Sequence, residues 1–241
     1  MKLLAIDTAT EACSVALLLD GAIHERFELA GRTHSQRLPA MFAALLAEAG
    51  IVPTQLDGIV AGVGPGSFAG VRIGVAFVKG LALGVDRPVV GISSLAMLAQ
   101  SAIEAGATTA LAAIDARMDQ IYVGAYREEL GLARLAGDES VITPADWTAP
   151  ALLASMQSGP IAAVGSGWAA YGEALLARLP SAPSIVDSAA LPHAAAALKL
   201  GQPEFAAGRA VDASRLVPNY LRNRVALTQV EQIEARQAKK L

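Results

Sequence analysis

The sequence predicts an α/β protein of two duplicated lobes, each with a mixed β-sheet and the element order βββαβαβα. An internal repeat is the first reason: "LLAIDTATEACSVALLLDG" begins at Leu3, and "LAAIDARMDQIYVGAYREE" begins at Leu111 with the same strand–turn–strand pattern. Asp7 and Asp115 both follow Ala-Ile and stand 108 residues apart. A repeat of this length indicates two similar α/β units that arose by duplication.

The first half contains a candidate for each of the eight elements. "AIHERFEL", from Ala22, follows the first two strands and completes a predicted three-stranded meander. Residues 35–49 predict a helix, and "LDGIVAGVGPG" predicts a buried strand that ends in a glycine turn. A long apolar helix begins near Phe68, and a strand near 88–91 leads into the last helix of this half.

The second half repeats this order. "GLARLAG", from Gly131, is the third strand, residues 144–156 predict a helix, and "PIAAVGSG" predicts a strand that enters the helix around Trp168. A strand near 184–186 leads to a further helix. We therefore predict lobes at 1–105 and 106–217 with a hinge near Gly106, followed by a C-terminal helical segment, 218–241, that packs back on the first lobe.

Composition favours a cytoplasmic protein that does not insert into membranes. The 241 residues are 54% hydrophobic, yet no charge-free apolar run approaches the roughly 18 residues of a membrane span. "MKLLAID" reaches a charge too early for a signal peptide, and the single cysteine, Cys13, predicts an inert core thiol. The net charge of −3 predicts no general attraction to nucleic acid or anionic lipid.

The order of elements resembles the actin, sugar kinase and Hsp70 superfamily of ribonuclease H-like lobes, which binds ATP between them. In that superfamily the turn after the first strand usually reads Asp-x-Gly-Thr, whereas residues 7–10 here read Asp-Thr-Ala-Thr. The resemblance gives a set of candidate phosphate contacts: Asp7, Thr8, Thr10 and Asp115. The alternative is that these side chains only stabilise turns, because alanine replaces the glycine that lets a phosphate approach the backbone.

Several motifs in order along the chain narrow the resemblance to one family. They are "AIDTAT" at 5, "HSQRLPAM" at 34, "GVGPGSFAGVRIG" at 62, "ISSLAMLA" at 92, "DARMDQIYVGAY" at 115 and "PNYLRNRVA" at 218. Together they resemble the family of bacterial tRNA threonylcarbamoyladenosine biosynthesis proteins TsaB over nearly the whole chain. The chain departs from the family pattern at Ala69, Val71 and Asn219, where threonine, leucine and a hydrophobic residue are usual.

The resemblance implies a non-catalytic subunit needed to make N6-threonylcarbamoyladenosine at adenosine 37 of tRNAs that read codons beginning with A. The implied partners are a metal-containing catalytic paralogue, TsaD, and a small ATPase, TsaE. It further implies a homodimer when the chain is alone and contact with tRNA only through the complex. No tightly bound cofactor is expected, and ATP or ADP is expected only in the complex.

The histidines test which paralogue this is. The catalytic relative carries His-x-x-x-His on the helix after the fifth strand, and those positions fall on Ser94 and Leu98 here. His34 follows Thr33, which with Gln36 forms a predicted capping box, so it is interpreted as a helix-start residue rather than a metal ligand. No metal site and no catalytic residue are predicted.

Two enzymatic alternatives remain beside the subunit hypothesis. A stand-alone ATP-dependent small-molecule kinase of the same fold would need intact phosphate loops in both lobes. A glycoprotease-like hydrolase would need a zinc motif such as HExxH, which the sequence lacks. Ser67 on the glycine turn is better explained as a helix N-cap than as a nucleophile.

Glycines spaced four apart on the second helix predict a partner surface. Gly70, Gly74, Phe77 and Leu81 lie near one line of that helix, with Gly84 beyond them. The preceding helix has its own apolar line. The predicted interface comprises Leu38, Phe42, Leu45, Gly70, Gly74, Phe77 and Leu81. The alternative is that the glycines pack on the lobe's own sheet.

Overall fold

Two β-sheets, one from each half of the chain, form the centre of the molecule. The computed structural model describes residues 1–149 and 159–222. The first half contains β1 (Leu3–Asp7), β2 (Ala12–Leu19), β3 (Ala22–Leu29), α1 (His34–Ala49), β4 (Gly58–Gly62), α2 (Phe68–Val85), β5 (Val89–Ile92) and α3 (Ser94–Glu104). The second contains β6 (Thr109–Arg117), β7 (Gln120–Glu129), β8 (Leu132–Leu135), β9 (Ser140–Ile142), β10 (Ile161–Val164), α4 (Ser166–Leu176), β11 (Ile185–Asp187) and α5 (Ala194–Ala206).

The two sheets have the same topology, which confirms the predicted fold class. The first has the order β3-β2-β1-β4-β5, with β1 antiparallel to β2 and parallel to β4. The second has the order β11-β10-β6-β7-β8, with β6 antiparallel to β7 and parallel to β10. β9, which the sequence analysis did not predict, pairs with β7.

The last helix of each half packs on the sheet of the other half. α3 lies against β6, β7 and β8, whereas α5 lies against β1, β2, β4 and β5, and the two helices contact each other. One hydrophobic core therefore includes Leu3 and Val60 of the first half together with Ala112 and Leu198 of the second. Each half buries its sheet with a helix of the other, so we keep 1–105 and 106–217 only as proposed lobe boundaries.

α1 and α2 cover the remaining face of the first sheet. Val71, Val75, Val78 and Ala82 of α2 are buried in the core of that layer. By length and composition alone, α2 is the one helix among the described residues that passes as a candidate membrane span. Its packing on β4 explains the apolar composition, because a helix between a sheet and an outer surface needs an apolar inner face.

Local structure corrects one predicted cap and leaves two predictions partly outside the described residues. The Thr33 hydroxyl donates to the Ala30 carbonyl at 2.8 Å and makes no cap hydrogen bond, so the predicted capping box is wrong. Most of the predicted helix at 144–156 and most of the segment 218–241 lie outside the described residues. Residues 218–222 are described and are not helical.

Candidate functional site

An open cleft of about 810 Å³ separates the two lobes. The β1–β2 turn, the glycine loop before α2 and the β6–β7 turn form its walls, together with the start of α4 and residues 218–222. Its polar lining includes Thr10, Glu11, Arg32, Ser67, Asp115, Arg117, Tyr122, Ser166, Asn219, Tyr220 and Arg222. The cleft lies where the sequence predicted a nucleotide, and its lining can therefore test that prediction.

Asp7 lies beneath the cleft and not in it. Its side chain is fully buried, accepts a hydrogen bond from the Ala9 N–H at 3.1 Å and lies 3.5 Å from the Ser94 hydroxyl. Burial raises the pKa of Asp7 to about 6, against the smaller opposing effect of these hydrogen bonds. Thr8 is buried as well, and its hydroxyl donates to the Gly70 carbonyl at 2.7 Å. Asp7 and Thr8 are thus inaccessible to a ligand, and the prediction that they contact phosphate is wrong.

Thr10 and Asp115 do line the cleft, but both have local partners. The Thr10 hydroxyl accepts from the Ala12 N–H at 3.3 Å, as in ordinary turn chemistry. The Asp115 carboxylate accepts from the Arg117 N–H and from its guanidinium, both at 2.8 Å. A role for these two side chains in nucleotide binding stays a prediction.

The glycine loop packs on the β1–β2 turn and leaves no backbone cradle there. The Ser67 N–H donates to the Ala9 carbonyl at 2.6 Å, and a Cβ on Gly66 would lie 2.2 Å from that oxygen. Ser67 accepts from the Gly70 N–H at 3.3 Å, which confirms its predicted role as the N-cap of α2. The glycines at 66, 70 and 74 therefore allow close contact with residues 8 and 9 of the same lobe.

The positions of the paralogue's metal-binding histidines carry no ligand in this chain. Ser94 is buried beside Asp7, and Leu98 is in the shared core. His34 starts α1 as predicted, with its Nε2 atom 3.1 Å from the Ala12 carbonyl oxygen. Among residues 1–149 and 159–222, no group of three His, Cys, Asp or Glu side chains is placed to hold a metal ion.

Cys13 is a core residue, as predicted. Its side chain is fully buried in β2. Burial, with a smaller contribution from the Asp7 charge, raises the pKa of the Cys13 thiol to about 11. A thiol that is neutral at physiological pH and shielded from solvent is a poor nucleophile.

The β6–β7 turn on the rim of the cleft has an unusual backbone. Arg117, Met118 and Asp119 all have left-handed φ values, between 55° and 59°. Arg222 holds this turn: its guanidinium donates to the Ala116 carbonyl at 3.0 Å and to the Gln120 side-chain oxygen at 2.7 Å. Left-handed conformation costs a non-glycine residue about 1–2 kcal/mol, so these contacts offset a strained arrangement.

Residues 218–222 connect the lobes across the cleft, which the sequence analysis did not foresee. The Asn219 N–H donates to the Val63 carbonyl at 2.8 Å, and its side-chain amide donates to Glu139 at 2.9 Å. The Tyr220 hydroxyl accepts from Arg72 at 3.1 Å. Because Val63 and Arg72 belong to the first lobe and Glu139 to the second, this segment ties the two lobes together.

The predicted partner surface requires correction. Gly70 and Gly74 are buried, and a Cβ on Gly74 would lie 2.6 Å from the Thr8 hydroxyl oxygen. Leu38 and Leu45 are buried in the core beneath α1. The prediction that these four residues face a partner is wrong, because the valines of α2 turn the glycines of its first half toward the sheet.

Other residues of α1 and α2 do face outward, and we call this set the α1/α2 outer face. Phe42 and Phe77 are half-buried and contact each other edge to face, with ring centroids 5.5 Å apart. Gly80 and Gly84 have open space where a Cβ would be. The α1/α2 outer face comprises Phe42, Ile73, Ala76, Phe77, Gly80, Leu81, Leu83 and Gly84.

Comparison with known proteins assigns these features to one group of relatives. Residues 22–229 match the family model described as "TsaD: tRNA N6-adenosine threonylcarbamoyltransferase". The chain is 41% identical over 230 residues to the "tRNA threonylcarbamoyladenosine biosynthesis protein TsaB" of Escherichia coli (strain K12), covering 94% of this chain and 96% of that relative. The protein of that name from Haemophilus influenzae is 38% identical, with 93% and 95% coverage. A solved structure, "YeaZ from Pseudomonas aeruginosa", has 44% identity and a TM-score of 0.83, covering 91% of this chain and 99% of its own.

Proposed function

The chain belongs to the TsaB family and acts in the biosynthesis of threonylcarbamoyladenosine in tRNA, and we propose that it does so as a non-catalytic subunit. The proposed partner is the catalytic paralogue TsaD, with the small ATPase TsaE as a further member of the complex. Modification of adenosine 37 in tRNAs that read codons beginning with A would then depend on this chain without being catalysed by it.

The α1/α2 outer face is the single observation that best supports a subunit role. Leu83 is 61% exposed, and Gly80 and Gly84 leave a shallow surface beside it. Small residues let a second helix approach the backbone closely, and exposed apolar side chains gain free energy when a partner covers them. We propose that this face meets the corresponding helices of the paralogue and, in its absence, a second copy of this chain.

The cleft supports a non-catalytic role more than the kinase alternative. A phosphotransferase needs an accessible carboxylate and backbone N–H groups near the transferred phosphate. Here Asp7 is buried, and the Ser67 N–H already donates to the Ala9 carbonyl. We therefore keep the proposal that the chain holds no cofactor tightly and that ATP or ADP is bound only in the complex.

Reconstitution tests the proposal. Threonine, bicarbonate, ATP, the enzyme that makes threonylcarbamoyl-adenylate, TsaE and tRNA are incubated with this chain, with TsaD or with both. We expect threonylcarbamoyladenosine only when both are present, together with a complex of the two on size-exclusion chromatography. Modified nucleoside formed by this chain without TsaD would overturn the non-catalytic assignment.

A further inference from the structure

Positive charge is concentrated at the cleft although the chain as a whole is acidic. The net charge is −3, yet Arg32, Arg117 and Arg222 line the cleft against two carboxylates, Glu11 and Asp115. Arg72, on the first turns of α2, adds a fourth guanidinium beside the mouth through its contact with Tyr220. Local concentration of this kind indicates an anionic ligand more directly than the net charge does.

Two of these arginines are accessible to such a ligand. The Arg117 side chain is 85% exposed even though it pairs with Asp115. Arg32 is exposed and, within residues 1–149 and 159–222, takes part in no ion pair. Arg222 instead points its guanidinium at the β6–β7 turn and holds it.

Aromatic rings stand beside this charge. Phe68 and Tyr220 are about half exposed, and the Arg72 guanidinium lies 3.4 Å from the centroid of the Phe68 ring and 5.7 Å from that of Tyr220. Tyr122 forms part of the cleft wall. Planar guanidinium and aromatic groups next to arginines are the groups on which unpaired nucleic-acid bases stack.

The strained turn adds an independent observation. Arg117, Met118 and Asp119 are held in left-handed conformation, and Met118 is exposed at the tip of the turn. Strain of this kind persists only where surrounding contacts over-determine it, and it is concentrated at functional sites. Here the consequence is that the Arg117 guanidinium and the Met118 thioether are both presented at the rim.

We propose that the cleft binds a single-stranded segment of RNA, with phosphates along Arg32 and Arg117 and a base stacked on the Phe68–Arg72–Tyr220 group. The volume of about 810 Å³ accommodates a nucleotide. The proposal rests on the proposed function, because the substrate of that pathway is a tRNA and its modified base lies in a single-stranded loop. A free nucleoside triphosphate fits less well, since the Ser67 N–H is already used and Asp7 is buried.

Fluorescence anisotropy with a labelled RNA hairpin that has a single-stranded loop tests the proposal. A blunt RNA duplex of equal length serves as the comparison, and both are titrated at about 0.05 M KCl with the chain alone and with its complex with TsaD. The variant Arg32→Gln/Arg117→Gln is compared with Arg127→Gln/Arg134→Gln. The control loses the same two charges at paired positions on β7 and β8, outside the cleft.

We expect the cleft variant to bind the hairpin about tenfold more weakly and the control within about twofold of the unmodified chain. The slope of log K against log salt should fall by about 1.4, or roughly 0.7 for each lost phosphate contact on a single strand. Tyr220→Ala should weaken hairpin binding and Tyr220→Phe should restore most of it, because stacking needs the ring and not the hydroxyl.

Equal binding of hairpin and duplex, equal loss in both double variants, or displacement of the hairpin by Mg-ATP would each overturn the proposal. Absence of hairpin binding by both the chain alone and the complex would do the same. These outcomes leave the proposed function standing if reconstitution still yields modified tRNA only with both proteins. Failure of the two proteins to associate would instead reject the subunit role while the binding of RNA by the chain alone is still measured.

Discussion

Gly70 lies so close to the backbone of Thr8 that a Cβ atom on Gly70 would come within 2.1 Å of the Thr8 carbonyl oxygen. The contact is reinforced from the other side, since the Thr8 hydroxyl donates to the Gly70 carbonyl at 2.7 Å. The first turns of α2 are thereby fixed onto the β1–β2 turn. A glycine here serves the close approach of two backbone segments within one lobe.

Gly70→Ala is therefore expected to destabilise the protein. A methyl group cannot fit against a backbone oxygen without a shift of α2, and such overpacking typically costs about 1–3 kcal/mol in the free energy of unfolding. Urea denaturation of the variant measures this cost. Gly80→Ala is the matched control on the same helix, because nothing lies within 4 Å of the new Cβ. It should raise the free energy of unfolding by about 0.5–1 kcal/mol, and equal losses in both variants would contradict the packing argument.

Bulk or charge on the α1/α2 outer face should block association without unfolding the chain. Gly80→Trp fills open space, and Leu83→Glu places a charge on an exposed apolar position. Each is expected to weaken both the complex with TsaD and self-association at least about tenfold, measured by sedimentation velocity. Leu130→Glu, at a side chain 99% exposed on the β7–β8 turn, is the control. Native affinity in both outer-face variants would place the interface elsewhere.

His193 and Glu25 should make stability depend on pH. The His193 Nδ1 atom lies 3.0 Å from Glu25, and this hydrogen bond raises the pKa of His193 above its usual value of 6.5. Its contribution is therefore complete below about pH 6.5 and is lost as the pH rises through the higher folded-state pKa. The destabilisation caused by His193→Gln should be larger near pH 6 than near pH 9 in urea denaturation. In a Glu25→Gln background this difference between the two pH values should disappear, and its persistence would exclude the pair as its source.

Asp7→Asn should stabilise the protein at neutral pH. Burial raises the pKa of Asp7 from 3.8 to about 6, so the folded state binds this proton more tightly than the unfolded state. Stability therefore falls as the pH rises from about 4 to about 6 and is level above that. The amide removes this loss, with an expected gain of about 1–3 kcal/mol above pH 6. The gain should vanish near pH 4, and a variant that is destabilised equally at both pH values would contradict this account.

The sequence by itself determined the duplicated architecture. The repeat around Asp7 and Asp115 and the alternation of strand and helix patterns were sufficient, because periodicity and turn residues are local properties of the chain. Local chemistry also placed Ser67 as the N-cap of α2, His34 at the start of α1 and Cys13 in the core. The ordered motifs were enough to indicate the family.

Only the tertiary structure decided which face of α2 is buried. This helix is apolar on nearly every side, so a 3.6-residue period offers more than one inner face. Packing on β4 selected the line of Val71, Val75 and Val78, which turned Gly70 and Gly74 toward Thr8 and left Gly80 outside. Contacts between residues far apart in the chain also buried Asp7, exchanged α3 and α5 between the sheets and brought Arg222 to the β6–β7 turn. Such contacts depend on how elements are arranged in space, and this arrangement has no local signal in the sequence.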